Sequence, residues 1–294
     1  MKKNTLISKL LIPTLIVSIL FTAISPIVVQ ADSFKVVTLG ADLTEAQKSE
    51  MLKYFDVTKT DANIIEVTSK EEYQALGNVA SSEQLGSRSI SCSYVEPTTD
   101  GGLKITTNNL TWVTEGMIKN SLITAGVKNS KVTAAAPFKV SGTAALTGIL
   151  KGFENSSSGN KLDEANKTAA NEEIVLTGDL GDKIGQDDAT NLINDIKKNI
   201  IKEKPSTDEE LNKIITDSIN KYDYKLSSDD IESIKSLMSK INSLDLDYNS
   251  LKDQLDNVSA ELKDKISSEE VSGFFDKIGE FFDSIFDSIS TFFS

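Results

Sequence analysis

The side chains in this sequence that could carry chemistry are carboxylates, serine–lysine pairs and a single thiol, because it contains no histidine. Without imidazole, the Ser-His-Asp and Cys-His nucleophile sets are excluded, and so are histidine-bearing zinc sites. There is no Gly-Lys-Ser/Thr phosphate loop and no Gly-x-Gly-x-x-Gly turn, so phosphate cradling lacks its usual backbone. No cofactor and no metal is expected. Ser158/Lys161 and Ser218/Lys221 have the spacing of a Ser-Lys dyad, but both sit in polar, solvated stretches, and so short a pattern arises readily by chance. Carboxylate-pair hydrolysis of a sugar polymer also calls for aromatic platforms beside the acids, and Trp112 is the one tryptophan.

Two further patterns read as structure. Asp245, Asp247, Asn249, Asp253 and Asp256 fall at ligand positions of a calcium loop. However, Ser250 stands where the loop needs glycine, Lys252 takes the apolar position and Asp replaces the bidentate Glu. A helix–helix joint in which Asp247 or Asn249 caps the next helix fits better. Cys92 shares a strand face with Ile90 and Tyr94, which makes it a small core hydrophobe. As the one cysteine, it forms no internal disulfide.

The elements that must position such groups begin with alternation. Ser89–Val95 alternates Ile90, Cys92 and Tyr94 with serines, the period of a strand. Asp100-Gly101-Gly102 then turns into a second strand, Leu103–Thr107, and the two form a hairpin. A helix follows, with Met117, Ile118, Leu122 and Ile123 at helical spacing, closed by Gly126. Next come a strand, Lys131–Val140, and an apolar helix, Thr143–Phe153. Strand–helix–strand at this length predicts a crossover with 103–107 and 131–140 parallel.

Upstream, Phe34–Leu39 and Ile64–Val67 read as strands. Thr44 with Gln47 caps a helix Glu45–Phe55, and Ser69 with Glu72 caps a short helix Lys70–Leu76. Residues 78–87 read as a loop. The prediction is an α+β (or α/β) protein, with a mixed-sheet α/β domain over 34–154.

After a polar joint at 155–160, the sequence is helical. Helices are expected at 162–177, 187–203, 207–222, 228–244 and 248–266, making a bundle region over 161–268. Ile231, Ile234, Leu237, Met238, Ile241 and Leu244 form one stripe, and Leu251, Leu255, Val258, Leu262 and Ile266 another.

The last segment, 269–294, is an amphipathic helix of another kind. Phe274, Phe275, Ile278, Phe281, Phe282, Ile285, Phe286, Ile289, Phe292 and Phe293 make a wide stripe, with seven phenylalanines in ten positions. Burying it is worth about 15–30 kcal/mol gross, before entropy. Its other face carries Asp276, Lys277, Glu280, Asp283 and Asp287, a net −3, whereas helices that lie on membranes favour a basic face. A protein partner, or self-association through this helix, is therefore the expectation, with membrane contact disfavoured.

Residues 1–31 read as a secretory signal peptide. Lys2, Lys3 and Lys9 make a basic start, Leu10–Phe21 an apolar run and Val29-Gln30-Ala31 a small-residue cleavage site. Its removal takes three lysines and no acid, so the formal charge goes from −13 to −16. Such a surface repels nucleic acid and attracts basic partners.

Three phrases carry a resemblance: Val37-Thr38-Leu39-Gly40-Ala41-Asp42-Leu43-Thr44, then Ala136-Pro137-Phe138-Lys139-Val140-Ser141-Gly142-Thr143-Ala144-Ala145-Leu146, then Leu244-Asp245-Leu246-Asp247. With the leader, they resemble the YpuA-like proteins, a domain-of-unknown-function family of secreted Gram-positive proteins. The resemblance implies an extracellular or envelope-associated protein and supplies no catalytic residues. Gly40-Ala41-Asp42 and Ser141-Gly142 both follow strands, so both turns are expected at one end of the sheet, where α/β ligand sites form. Asp42, Thr44, Ser141 and Thr143 are the candidate ligand-binding residues. The leading expectation is a non-enzymatic interaction protein. An envelope hydrolase using carboxylates or a Ser-Lys pair, and a membrane-active helix, are the alternatives.

Overall fold

The computed structural model describes residues 35–156, 161–222 and 224–266, with side chains to residue 262. Segments 1–31 and 269–294, hence the leader and the phenylalanine stripe, lie outside the described residues.

The first strand, β1 (Val36–Gly40), leads through the Thr44–Gln47 capping box into α1 (Glu45–Tyr54). Next come β2 (Asn63–Val67), α2 (Ser69–Leu76) and a four-residue helix, α3 (Ser82–Leu85), inside the stretch expected to be a loop. They are followed by β3 (Cys92–Pro97), β4 (Leu103–Leu110), α4 (Glu115–Thr124), β5 (Ser130–Val140) and α5 (Thr143–Glu154). The strands form one mixed sheet in the order β2-β1-β3-β5-β4. As the crossover requires, β4 and β5 are parallel.

The hairpin is not formed. β5 lies between β3 and β4, antiparallel to the first and parallel to the second. The same stretch of β5, Ser130–Ala135, pairs with β3 on one edge and β4 on the other, so the crossover displaces the turn at 100–102 as the pairing device.

The sheet is covered on both faces. Val37, Leu39, Cys92 and Ala135 pack with Met51 of α1 and with Phe55, which follows it. On the opposite face α5 lies on β1 and β3, and a Cβ on Gly148 would stand 2.1 Å from Thr38 Oγ1. Glycine therefore sets how closely the helix approaches. Beneath it, Thr38 and Ser93 share a hydroxyl–hydroxyl bond of 2.5 Å, so the serine face of β3 is an interior one.

The rest is helical: α6 (Glu164–Ile184), α7 (Gln186–Glu203), α8 (Asp208–Tyr222), α9 (Ser228–Ser243) and α10 (Tyr248–Ile266). α6 runs past its expected end at 177. Gly178 does not break it, because Trp112 lies against it: a Cβ there would sit 2.1 Å from the indole Cζ2. Of the two stripes, Ile234, Leu237, Met238, Ile241 and Leu244 of the first and Leu251, Leu255, Val258 and Leu262 of the second are buried, while Ile231 is only partly so, and Asp247 caps α10 by accepting the Ser250 N–H at 2.9 Å. α7 departs from the one-stripe pattern, being buried nearly all round among α4, α6, α8, α9 and α10. One apolar cluster runs from the α4 and α5 side of the sheet into these helices.

At the centre of that cluster Lys197 (α7) and Glu173 (α6) are 0% and 1% exposed. Lys197 Nζ donates to Glu173 Oε1 at 2.7 Å, to the Asn120 carbonyl at 2.7 Å and to Thr124 Oγ1 at 3.0 Å. Thr124 Oγ1 in turn donates to Glu173 Oε2. Among the described residues, no helix is long and apolar enough to cross a membrane.

Candidate functional site

β1 and β5 are each antiparallel to β3, hence parallel to one another, and their carboxyl ends lie at the same end of the sheet. Asp42 and Thr44 follow β1; Ser141 and Thr143 follow β5. Gly40 lets the chain pass tightly, since a Cβ there would be 2.4 Å from the Ser89 carbonyl oxygen.

Asp42 is the clamp of this end. Its Oδ2 accepts the Ser89 N–H at 2.7 Å and the Ser69 hydroxyl at 3.1 Å, while its carbonyl accepts from Arg88 Nη2 at 3.0 Å. Thr44 is committed to capping, accepting from Gln47 N–H at 3.3 Å. Ser141 and Thr143 place their hydroxyls 3.3 Å apart, and Thr143 also donates to the Gln84 carbonyl at 3.3 Å.

Thr143 opens α5. The residue before it, Gly142, is left-handed (φ 109°) and gives that helix no side-chain cap. The amino end of α5 is instead met by Ser91, whose Oγ accepts the Ala145 N–H at 2.8 Å.

Between the two turns the fold inserts a residue that the sequence reading misassigned. The α2 cap is Thr68 with Glu71, one position earlier than Ser69 with Glu72. Thr68-x-x-Glu71 and Ser69-x-x-Glu72 both match a capping box, and only the helix start distinguishes them. Ser69 is thereby free to bond Asp42, and Glu72 turns into the interior.

Glu72 is 2% exposed, and neither carboxylate oxygen has a hydrogen-bond partner among the described residues. Burial pushes its carboxyl up to about 7. The nearby Thr143 side chain opposes the shift, and the Asp42 charge adds to it. With its carboxyl raised to about 7, this group can take up or release a proton near neutral pH, close to the start of α5. The unsatisfied carboxyl, rather than the four turn residues alone, gives this end its chemical character.

The other patterns resolve differently. Ser218 is buried and accepts from Asn199 Nδ2 at 3.4 Å, while Lys221 pairs with Asp195 at 3.3 Å, so the two do not form a dyad. Ser158 lies outside the described residues. The Cys92 thiol is buried, which pushes it up to about 12, as befits a core residue.

A concave feature of about 360 Å³ lies where β4 faces α4 and α10. Leu103 and Ile105 form one wall, Val258 and Leu262 the other. At its rim Lys119 is bonded to Glu261 at 2.5 Å.

A five-stranded mixed sheet sheathed by helices and continued into a helical body defines an α+β protein, with the buried Glu72 carboxyl at the strand ends. The chain belongs to the family described as "Protein of unknown function (DUF1002)", whose model matches residues 39–258. It is similar to "Uncharacterized protein YpuA" of Bacillus subtilis (strain 168), 39% identical over 260 residues that cover 88% of this chain and 89% of that protein. The family match includes Ala136–Leu146 and Leu244–Asp247, two of the phrases that carried the resemblance. No solved structure matches the chain.

Proposed function

We propose that the protein is exported, stays outside the cell or at the envelope, and works by holding a protein partner rather than by turnover. The observation that carries this reading is the stripe from Phe274 to Phe293, seven phenylalanines among ten apolar positions, which calls for an apolar counterpart. The apolar faces of α9 and α10 are already committed to α4, α6, α7 and α8. Export is supported by the leader pattern of residues 1–31 and by the acidic remainder. The acidic polar face of the tail disfavours anionic lipid as the counterpart.

The test compares two immobilised chains spanning 32–294: the unaltered one and one carrying Phe281→Asp with Phe282→Asp. Envelope proteins held by the first and lost by the second are the expected result. Identical retention on both overturns the reading.

Glu72 favours a second reading, as a hydrolase, since a carboxyl raised to about 7 with a second carboxylate, Asp42, acting on it resembles an acid–base pair. Turnover of a wall polymer or peptide that is lost in Glu72→Gln would replace binding by catalysis.

A further inference from the structure

We propose that residues 69–88 form a proton-controlled flap over the strand ends, closed while the Glu72 carboxyl keeps its proton and lifting when it ionises. The segment leaves the sheet after β2 and returns just before β3, and its two ends are stapled together. Ser89 donates its hydroxyl to the Val67 carbonyl at 2.6 Å. The Val67 carbonyl also accepts the Ala41 N–H at 2.9 Å, and the Ser89 carbonyl accepts the Asp42 N–H at 3.0 Å. The strands therefore keep their register whether or not the excursion between them stays in place.

Within the flap α2 packs on α3, and the Tyr73 hydroxyl donates to the Gly86 carbonyl at 3.2 Å, so the two helices move together. Leu76, Ala80 and Leu85 are its buried apolar anchors in the main cluster. Its other ties are polar. Glu71 pairs with Lys151 of α5 at 2.5 Å, Gln84 Nε2 donates to Asp179 of α6 at 2.5 Å, and Asn171 of α6 donates to the Ala75 carbonyl at 3.3 Å. A short segment anchored in this way opens at a lower free energy than the whole fold.

Glu72 makes the closed position depend on pH. It projects from α2 into the interior near Thr143 of α5 and, among the described residues, has no donor on either oxygen. Ionised there, it has neither water nor a partner, whereas on the lifted flap it has water. The surrounding charges do not relieve it. Asp42, after β1, pushes the same way as burial. Lys151 of α5 is held by Glu71 and the Glu66 carbonyl, and Arg88 donates to the Asp42 carbonyl. On α6, Asp179 is bonded to Gln84 and Glu172 to Lys240, while Lys70 of α2 and Glu83 of α3 face solvent. Lifting frees Thr143 from the Gln84 carbonyl and bares the start of α5, so this end of the sheet becomes accessible above neutral pH. The motion is independent of which partner, if any, the protein holds.

Amide hydrogen exchange of the full chain tests it, with each rate divided by the intrinsic rate at that pH. The Glu72 carboxyl goes from about 7 in the closed flap to 4.5 in water. The opening constant read at the Gly77 and Ala80 amides should therefore be about 70-fold larger at pH 8 than at pH 5. At pH 8 these amides should open about tenfold or more above Ile123 of α4 and above the staple amides of Ala41 and Asp42. Glu72→Gln and Glu72→Leu should each flatten the flap's pH response to within about threefold. Flap amides that exchange in step with Ile123 at both pH values would mean that only global unfolding exposes them, and would overturn the proposal. A pH response that both variants retain overturns it equally. Either result leaves the envelope-retention comparison to be decided on its own outcome.

Discussion

Two glutamates are buried to almost the same degree and live differently. Glu173, 1% exposed, holds an ammonium and a hydroxyl; Glu72, 2% exposed, has no hydrogen-bond partner within bonding distance among the described residues. Burial pushes both carboxyls upward. At Glu173 the charge of Lys197 and the Thr124 hydroxyl pull against it, and burial lowers Lys197 in turn while Glu173 resists. Removal from water is thus common to both sites, and the neighbours decide whether the group is an ion in a closed network or an acid waiting for a donor. The closed network lies where α4, α6 and α7 meet, and the open one at the strand ends, where ligands reach α/β sheets.

The comparison breaks most visibly if the closed network is opened. Lys197→Met leaves Glu173 buried without its counter-charge and should cost about 3–5 kcal/mol in urea unfolding. It should also turn Glu173 into a second Glu72, with stability that declines as pH rises. Replacing both partners, Glu173→Leu with Lys197→Met, should recover most of the loss. A single variant with unchanged stability would mean that the pair is not closed.

The next effect sharpens the other side. The Glu72 carboxyl is raised from 4.5 to about 7 in the folded chain, so the native state binds this proton more tightly than the unfolded one. Its contribution is fully present below about pH 4.5 and is lost as pH rises through 7, a change of about 3 kcal/mol. Glu72→Gln should remove that slope and leave the variant more stable than the parent at pH 8 by about the same amount. Urea titrations at pH 5 and pH 8 check it, and parallel pH dependences for parent and variant would refute it.

The smallest effect concerns the charge of Asp42. Asp42→Asn keeps an oxygen for the Ser89 N–H but removes the like charge, so the Glu72 midpoint should fall by less than about one unit. Carbon-detected NMR of the Glu72 carboxyl reads it, and a rise would show that Asp42 acts through position rather than charge.

Much of the sheet half was legible because its signals are local. Alternation over Ser89–Val95 marks β3, which runs from Cys92 to Pro97, Thr44 and Gln47 mark the start of α1, and the β4–α4–β5 spacing fixes a parallel pair. The parallel relation of β1 and β5 followed less directly, yet it is what brings Asp42 and Thr143 to one end. What was not legible depends on contacts between distant positions. The hairpin reading failed because β5 out-competes a local turn for the edge of β3. Nothing near Lys197 announces that α7 is enclosed, since an amphipathic pattern with Asn194, Lys197 and Asn199 reads as a solvated face until other helices cover it. Glu72 was hidden by one residue of frame: two overlapping capping boxes are equally good locally, and the end of β2 decides between them.

Trp112, the only tryptophan, carries a practical corollary. Its indole lies across Gly178 of α6, almost out of solvent, with its N–H unbonded. Its emission therefore belongs wholly to the seam where the strands meet the helices. A shift to longer wavelength under gentle denaturant reports that seam parting, and a circular-dichroism trace recorded alongside tells whether the two halves melt together or in turn.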